Sequence, residues 1–145
     1  MLFQAILFGA IMLVLAVLIH SWGTAMLVRV LRLKPGLAHR FFGSYSGVVI
    51  LSGIAVFLLC LHMLQIALWA GVFWWLVEIP AITTFVDSFY FSMITYTTVG
   101  YGDIVVPVGE GRLLSGFASI NGILLFGWST ALLFMTVEKL WFIKD

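Results

Sequence analysis

Charged residues are absent from four stretches of this chain, and those stretches outline its architecture. No Asp, Glu, Lys or Arg occurs in residues 1–28, 41–77, 88–102 or 113–137. About 20 apolar helical residues cross a hydrocarbon core, so the first, second and fourth stretches are each long enough to span a membrane. The third is too short and too broken by glycine to do so. The pattern predicts three membrane-spanning helices and one partial insertion.

A short helix is predicted just before the glycines of the third stretch. Thr84 and Asp87 have the spacing of a capping box, which predicts a helix of about 12 residues over Phe85–Tyr96. Asp87 falls in its first turn, where negative charge is favourable. Gly100 and Gly102 follow this helix, and glycine takes left-handed backbone angles at little cost.

This helix-and-loop segment suits an aqueous pore. Non-helical backbone is tolerated at membrane depth only where protein buries it or water lines it. If left-handed residues alternate with ordinary ones, successive carbonyls turn towards one axis. The C-terminal end of a re-entrant helix carries partial negative charge, which attracts cations. The segment therefore predicts a stack of backbone oxygens that replaces the hydration shell of a cation.

Composition agrees with a membrane location. The 145-residue chain is 63% hydrophobic and only 9% charged, which is too apolar for a water-soluble domain of this length. The predicted environment is therefore the lipid bilayer. A net charge of +1 points to no nucleic-acid partner. Cys60 is the only cysteine, so no disulfide can form within the chain.

The charged residues predict the orientation of the chain. Short cytoplasmic loops are enriched in Lys and Arg. Most bases of this chain follow the first or the third span, and they are Arg29, Arg32, Lys34, Arg40, Lys139 and Lys144. We expect the N-terminus outside, the C-terminus in the cytoplasm and residues 78–112 at the outer face of the plasma membrane. Arg29 and Arg32 could instead form a voltage sensor, but two arginines at one helix end favour membrane-end anchors.

Residues 97–103, with the sequence TTVGYGD, resemble the selectivity-filter signature of potassium channels without a substitution. The preceding FYFSMITY is similar to the pore helix of that family, and GRLL, NGILLFG and STALL are similar to its inner helix. The resemblance covers residues 41–140 and implies an all-α, membrane-embedded pore domain. Its expected parts are an outer helix over about 44–76, a pore helix over about 85–96, a filter over 98–102 and an inner helix over about 112–138. Residues 1–30 would form an additional N-terminal transmembrane helix.

The resemblance implies that the filter supplies oxygens to dehydrated K⁺. The implied ligands are backbone carbonyls, and the hydroxyl of the first residue completes the innermost ring; the residues are Thr98, Val99, Gly100 and Tyr101. Gly102 would let the chain turn out to the pore mouth. Four identical subunits are implied, since one chain supplies only one strand of the ring. No cofactor is expected, and K⁺ is the permeant ion.

Neighbouring residues are implied to support the filter, and they are Thr97, Asp103, Tyr90 and Phe91. The Tyr101 side chain would point away from the ions into an aromatic cuff made by Tyr90 and Phe91. Two positions depart from the family. Ile94 stands where some bacterial members carry a glutamate that pairs with the signature aspartate, and Phe91 stands where many members have tryptophan. Tyr90 is therefore the candidate partner of Asp103.

The third span is expected to line the cavity below the filter. Gly122 matches the hinge glycine of the family, and Gly127 is a second weak point. Phe134 would form a hydrophobic gate that closes by dewetting. The predicted pore-facing residues share one helical face, and they are Ile123, Phe126, Thr130 and Phe134. The alternative is that this face only packs against other helices and that the glycines only permit close contact.

Several polar residues lie within or beside the apolar spans. His20 and His62, with Gln65 one turn beyond His62, are interpreted as buried, neutral hydrogen-bonding groups, with a pH-sensing role as the alternative. Asn121 is expected to hold the inner helix against the pore helix, with pore lining as the alternative. Arg112 could pair with an outer acid, although an exposed pair contributes little.

Three classes of function follow from these residues. The intact Thr98–Gly102 filter favours a potassium-selective channel. A weakly selective cation channel and a non-conducting accessory channel subunit are the alternatives. An enzyme is not expected, because Ser129 in the sequence GWSTA would need a histidine within reach and an oxyanion site. Ser129 is better explained as a small helix-packing residue.

Overall fold

The computed structural model describes residues 2–33, 45–107 and 109–141, and helices account for most of them. The helices are α1 (Leu2–Leu33), α2 (Ser46–Trp75), α3 (Phe85–Tyr96) and α4 (Gly111–Trp141). Three of them, α1, α2 and α4, are long and apolar enough to cross a membrane, whereas α3 is too short. No strand occurs in these described ranges. The predicted all-helical membrane fold is confirmed.

The observed helix bounds follow the apolar stretches closely. The pore helix α3 has the predicted bounds, and α1 and α4 extend slightly further than expected. The second span ends at Trp75, where the backbone N–H of Leu76 donates to the Val72 carbonyl at 2.9 Å. Residues 76–80 therefore leave the helix instead of prolonging it. Lys34, Arg40 and Lys144 of the predicted basic clusters lie outside the described residues.

The main core forms between α2 and α3. Trp69 and Phe73 of α2 stack with ring centroids 5.9 Å apart, and Phe73 meets Phe91 of α3 edge to face at 4.9 Å. Offset-stacked and edge-to-face pairs are the favourable arrangements of aromatic rings. The same core continues to Leu114 and Ala118 of α4, so α3 is enclosed between the outer and inner helices.

The first helix packs against the other two long helices through small residues. It makes more contacts with α4 than with α2. Gly9 lies against the ring of Phe117 in α4, where an added Cβ would overlap that ring. Gly23 lies beside Leu61 of α2, where a Cβ would come within 2.8 Å of a methyl group. Small residues of this kind let membrane helices approach closely, so α1 is part of the packed bundle.

Candidate functional site

The N-terminal end of α3 is fixed by the predicted capping box. The Thr84 hydroxyl accepts from the Asp87 N–H at 3.2 Å, and the Asp87 carboxylate accepts from the Thr84 N–H at 2.8 Å. The same carboxylate oxygen accepts from the N–H and the hydroxyl of Thr83, each at 3.0 Å. These bonds, led by that with the Thr84 side chain, hold the pKa of Asp87 below its ordinary value. The helix therefore begins at a defined point, with negative charge at its start.

The C-terminal end of α3 is joined directly to the predicted filter sequence. The Thr97 hydroxyl donates to the Met93 carbonyl at 2.7 Å and so closes the last turn. The backbone N–H of Gly100 donates to the Ile94 carbonyl at 3.1 Å. Carbonyls at a helix C-terminus lack intrahelical partners, and here the filter supplies a donor to one of them. The first half of the filter is thus folded back on the end of the helix.

The filter backbone alternates in handedness along its length. Thr98, Gly100 and Gly102 have φ angles of 60°, 52° and 82°, whereas Val99 and Tyr101 between them have negative φ. Such alternation directs successive carbonyls to the same side of the chain. Glycine takes these angles at little cost, but a non-glycine residue such as Thr98 is strained by about 1–2 kcal/mol. Local strain of this kind clusters at functional sites, so residues 98–102 are a candidate functional site.

The predicted pairing of Tyr90 with Asp103 is present. The Tyr90 hydroxyl donates to the Asp103 carboxylate at 2.7 Å. This bond holds the pKa of Asp103 below its ordinary value and raises the pKa of Tyr90. Ile94 is buried, and its apolar side chain cannot form a hydrogen bond with the carboxylate. A phenol from α3 therefore anchors the chain immediately after residues 98–102.

The aromatic cuff expected around Tyr101 is not formed within the protomer. Tyr101 is 72% exposed, whereas Phe91 is buried against Phe73. Among the described residues, no aromatic contact joins Tyr101 to Tyr90 or Phe91. The side chain of Phe91 has no polar atom that needs a hydrogen-bond partner. It can therefore be buried in the α2–α3 core without contacting the Tyr101 hydroxyl.

The predicted pore-facing residues of α4 divide into two groups. The first group is exposed in the protomer and consists of Ile123, Thr130 and Phe134. Phe126 instead stacks on His62 with ring centroids 4.3 Å apart and meets Tyr96 edge to face at 5.6 Å. Phe126 therefore covers a buried polar region at the C-terminal end of α3.

The contact between α4 and α3 differs from the expected one. Gly122 lies against the carbonyl oxygen of Tyr96, and an added Cβ would overlap that oxygen. The Ser119 hydroxyl donates to the Thr95 carbonyl at 3.0 Å. The side chain of Asn121 is buried and makes no hydrogen bond to the described residues, so its expected role in holding α4 against α3 has no hydrogen bond to support it. The two helices therefore meet at carbonyls near the end of α3. The backbone of Gly122 packs on the carbonyl of Tyr96, and the Ser119 hydroxyl bonds to that of Thr95.

Arg112 also has a different partner from the one considered. Its Nε donates to the backbone carbonyl of Val106 at 3.1 Å, across the loop that leads into α4. No ion pair involving Arg112 occurs in the described ranges. The guanidinium stabilises the loop through a neutral acceptor, which requires no neighbouring acid.

The two intramembrane histidines lie together with Ser129. Its hydroxyl is 2.9 Å from His62 Nε2 and 3.2 Å from His20 Nε2. The predicted hydrogen-bonding role of the histidines is confirmed, whereas the packing interpretation of Ser129 is incomplete. Gln65 and Tyr96 complete this cluster. The sequence offered one signal, since His62 and Gln65 share a helical face, but nothing in it indicated the partners on other helices.

Comparison with known proteins identifies the family. A family model described as "Ion channel" matches residues 61–139, which is more than half of the chain. The chain therefore belongs to this ion channel family. The match includes the pore helix, the filter sequence and most of α4.

Curated relatives are potassium channels. One is the hyperpolarization-activated voltage-gated potassium channel of Methanocaldococcus jannaschii, 44% identical over 61 residues, or 40% of this chain and 29% of that protein. Another is the two-pore potassium channel 4 of Arabidopsis thaliana, 55% identical over 31 residues, or 21% of this chain and 11% of that protein. A third is the voltage-gated potassium channel Kch of Escherichia coli, 46% identical over 56 residues, or 38% and 13%.

These matches confirm the resemblance to potassium-channel pore domains and point away from an enzyme. The chain spans less than a third of the length of each of these relatives. No solved structure matches the chain with statistical significance.

Proposed function

We propose that this chain is a subunit of a homotetrameric, potassium-selective channel that conducts K⁺ passively across the plasma membrane. The observation that carries the proposal is the alternating backbone handedness of residues 98–102. Carbonyls that face one side of a strand can replace the water around a dehydrated cation when several strands surround it. The carbonyls of Thr98, Val99, Gly100 and Tyr101, with the hydroxyl of Thr98, are the proposed K⁺ ligands.

The tetramer follows from what one chain lacks. A single chain supplies one filter strand, and a ring of oxygens needs several copies arranged by closed symmetry. The protomer leaves Tyr101, Ile123 and Phe134 largely exposed, although they adjoin the proposed ion path. In the tetramer, neighbouring copies would cover Tyr101. Ile123 and Phe134 would face the cavity or an adjacent subunit. An aromatic cuff around Tyr101 would then be completed between subunits.

The pore helix contributes electrostatically in this arrangement. Its N-terminal end is capped by Thr84 and Asp87, and its C-terminal end leads straight into the filter. The negative end of the helix dipole therefore faces the inner end of the proposed ion path, where it favours a cation. With the N-terminus outside and the C-terminus in the cytoplasm, α3 enters from the outer face.

The experiment is a flux assay on purified protein in liposomes. We expect K⁺ flux that Ba²⁺ blocks, and a reversal potential in K⁺/Na⁺ mixtures that follows the K⁺ gradient. Gly100→Ala should reduce the flux, because a side chain at a φ of 52° is strained. Gly53→Ala is the matched control, since a Cβ there meets nothing within 4 Å.

The possible results separate the functions. A reversal potential that follows Na⁺ as well as K⁺ would indicate a weakly selective cation channel. Flux only after a partner chain is added would indicate an accessory subunit. Native mass spectrometry in detergent tests the assembly directly, and any subunit number other than four would contradict the tetramer.

A further inference from the structure

Five buried polar side chains from all four helices form a closed cycle of hydrogen bonds, which we call the polar ring. In order around the cycle, its members are Gln65, His20, Ser129, His62 and Tyr96. The successive distances between their polar atoms are 3.3, 3.2, 2.9, 3.1 and 2.7 Å, ending with the bond from Tyr96 back to Gln65. All five are buried, so water competes little with these bonds.

A backbone carbonyl fixes the direction of the polar ring. The side-chain nitrogen of Gln65 donates to the carbonyl oxygen of Ala16 at 3.2 Å, and a carbonyl can only accept. The same nitrogen faces Nδ1 of His20, and the Gln65 oxygen accepts from the Tyr96 hydroxyl. His20 must therefore accept at Nδ1 and carry its proton on Nε2.

The remaining protons follow in turn. His20 Nε2–H donates to the Ser129 hydroxyl, which donates to His62 Nε2. His62 then carries its proton on Nδ1 and donates it to the oxygen of Tyr96. Around the cycle each member donates once and accepts once. Both imidazoles are neutral and have opposite tautomers.

Tyr96 connects the polar ring to the filter. It is the last residue of α3, and Thr98 at the start of the filter lies two residues further on. Its phenol belongs to the polar ring, and its carbonyl oxygen lies against Gly122 of α4. Phe126 covers the ring by stacking on His62 and meeting Tyr96 edge to face. The inner end of the pore helix is thereby held through both its side chain and its backbone.

We propose that the polar ring positions Tyr96, and through it the inner end of the filter, so that α1 supports ion conduction directly. This inference rests on the proposed function, because it takes residues 98–102 as the K⁺ filter. The other four members are positioning residues that act through Tyr96. His20 is the member from α1, and it makes the first helix part of the filter's support instead of a separate membrane anchor.

The first test determines which nitrogen of each imidazole carries the proton. Nitrogen-15 NMR of the wild-type protein in lipid bilayers distinguishes the two neutral tautomers of histidine. We expect His20 protonated on Nε2 and His62 protonated on Nδ1. Identical tautomers, or a charged imidazole at neutral pH, would overturn the proposed ring.

The second test is a double-mutant cycle between His20 and Tyr96, which no direct hydrogen bond joins in the described structure. Ba²⁺ has nearly the radius of K⁺, so the Ba²⁺ inhibition constant of K⁺ flux reports on the filter. His20→Leu and Tyr96→Phe each remove two hydrogen bonds of the ring. Each should weaken inhibition about fivefold, which corresponds to the free energy of about one net hydrogen bond reaching the filter. Either change opens the same cycle, so Ba²⁺ inhibition of the double variant should also be weakened about fivefold. Independent effects would instead multiply and weaken inhibition about 25-fold.

Ser21→Ala is the matched control. Ser21 adjoins His20, but its hydroxyl bonds only within α1, to the Val17 carbonyl at 2.7 Å. This variant should leave Ba²⁺ inhibition unchanged. If His20→Leu does not assemble, Ser129→Ala replaces it in the cycle, because it removes one oxygen atom and still opens the ring.

The outcomes separate the two proposals. Unchanged Ba²⁺ inhibition, or multiplying effects, in a wild-type protein that conducts K⁺ would overturn the role of the ring while leaving the channel intact. Absence of K⁺ flux through the wild-type protein would overturn the proposed function and the conduction role together. In that case the tautomers would still show whether the ring exists.

Discussion

Gly122 of the inner helix lies against the carbonyl oxygen of Tyr96, the last residue of the pore helix. The sequence resemblance assigns Gly122 a hinge role, whereas the structure shows the close contact that was the alternative interpretation. The absent side chain lets α4 approach the point where α3 passes into the filter. A glycine here is needed for the packing of α4 on α3, whether or not the helix also bends.

Gly122→Ala tests this contact. A methyl group at this position would overlap a backbone oxygen, and overpacking of this kind typically destabilises a protein by about 1–3 kcal/mol. We expect a lower midpoint of thermal unfolding in detergent and a loss of K⁺ flux. Gly127→Ala is the control in the same helix, since a Cβ there meets nothing within 4 Å. Equal stability of the two variants would show that the contact is not limiting.

Tyr90→Phe tests the anchor at the filter exit. The Tyr90 hydroxyl holds the pKa of Asp103 below its ordinary value of 3.8, so the bond is fully present above that pH and is lost as the pH falls through the lowered pKa. Removing the hydroxyl should move the titration midpoint of Asp103 upward. Carbon-13 NMR of the Asp103 carboxyl group measures this shift directly.

Tyr45→Phe is the control for that titration, because Tyr45 is an exposed tyrosine at the opposite end of the chain's second span. This variant should leave the Asp103 midpoint in place. An unmoved midpoint in Tyr90→Phe as well would mean that the hydrogen bond does not stabilise the ionised carboxylate.

Ser119→Ala tests the bond between α4 and the end of α3. The Ser119 hydroxyl reaches the Thr95 carbonyl at 3.0 Å, and a net hydrogen bond contributes about 1 kcal/mol. We expect the free energy of unfolding to fall by about that amount. Ser115→Ala removes a hydroxyl that bonds only within α4, to the Gly111 carbonyl, and should have a smaller effect. If Ser115→Ala is the more damaging change, the interhelical bond is not what stabilises this contact.

Phe134→Ala tests the proposed gate. Phe134 is largely exposed in the protomer, as a residue facing the inner cavity of an assembled channel would be. A hydrophobic constriction closes by excluding water, so removing the ring should raise the open probability in single-channel records. Met135→Ala, a similarly exposed neighbour on a different helical face, should change it less. An unchanged open probability in Phe134→Ala would remove Phe134 from the gate.

The local features of the pore helix were predictable because they depend on neighbouring residues. The spacing of Thr84 and Asp87 predicts a capping box, and the observed helix begins there. Gly100 and Gly102 predict left-handed backbone, and both have positive φ. Thr98 shares that conformation although its residue type gave no such signal, and hydrogen bonds to the end of α3 flank it on both sides.

The contacts between helices were much harder to predict. The spans are apolar on nearly every face, so no hydrophobic stripe shows that α1 packs mainly on α4. Phe91 illustrates the same difficulty, because a phenylalanine ring could pack equally well against Tyr101 or against Phe73, which is its observed partner. The polar ring joins residues up to 109 positions apart, and their spacing along the chain contains no information about their meeting.

The seating of α1 along α4 also affects access from the side. Hydrophobic small molecules that dissolve among lipid tails can reach a membrane protein laterally instead of through water. Near Phe117, such a molecule would encounter α1 first, because Gly9 lies directly on that ring. A molecule that approaches Phe117 from this flank of the protomer would therefore have to displace α1 to reach the ring.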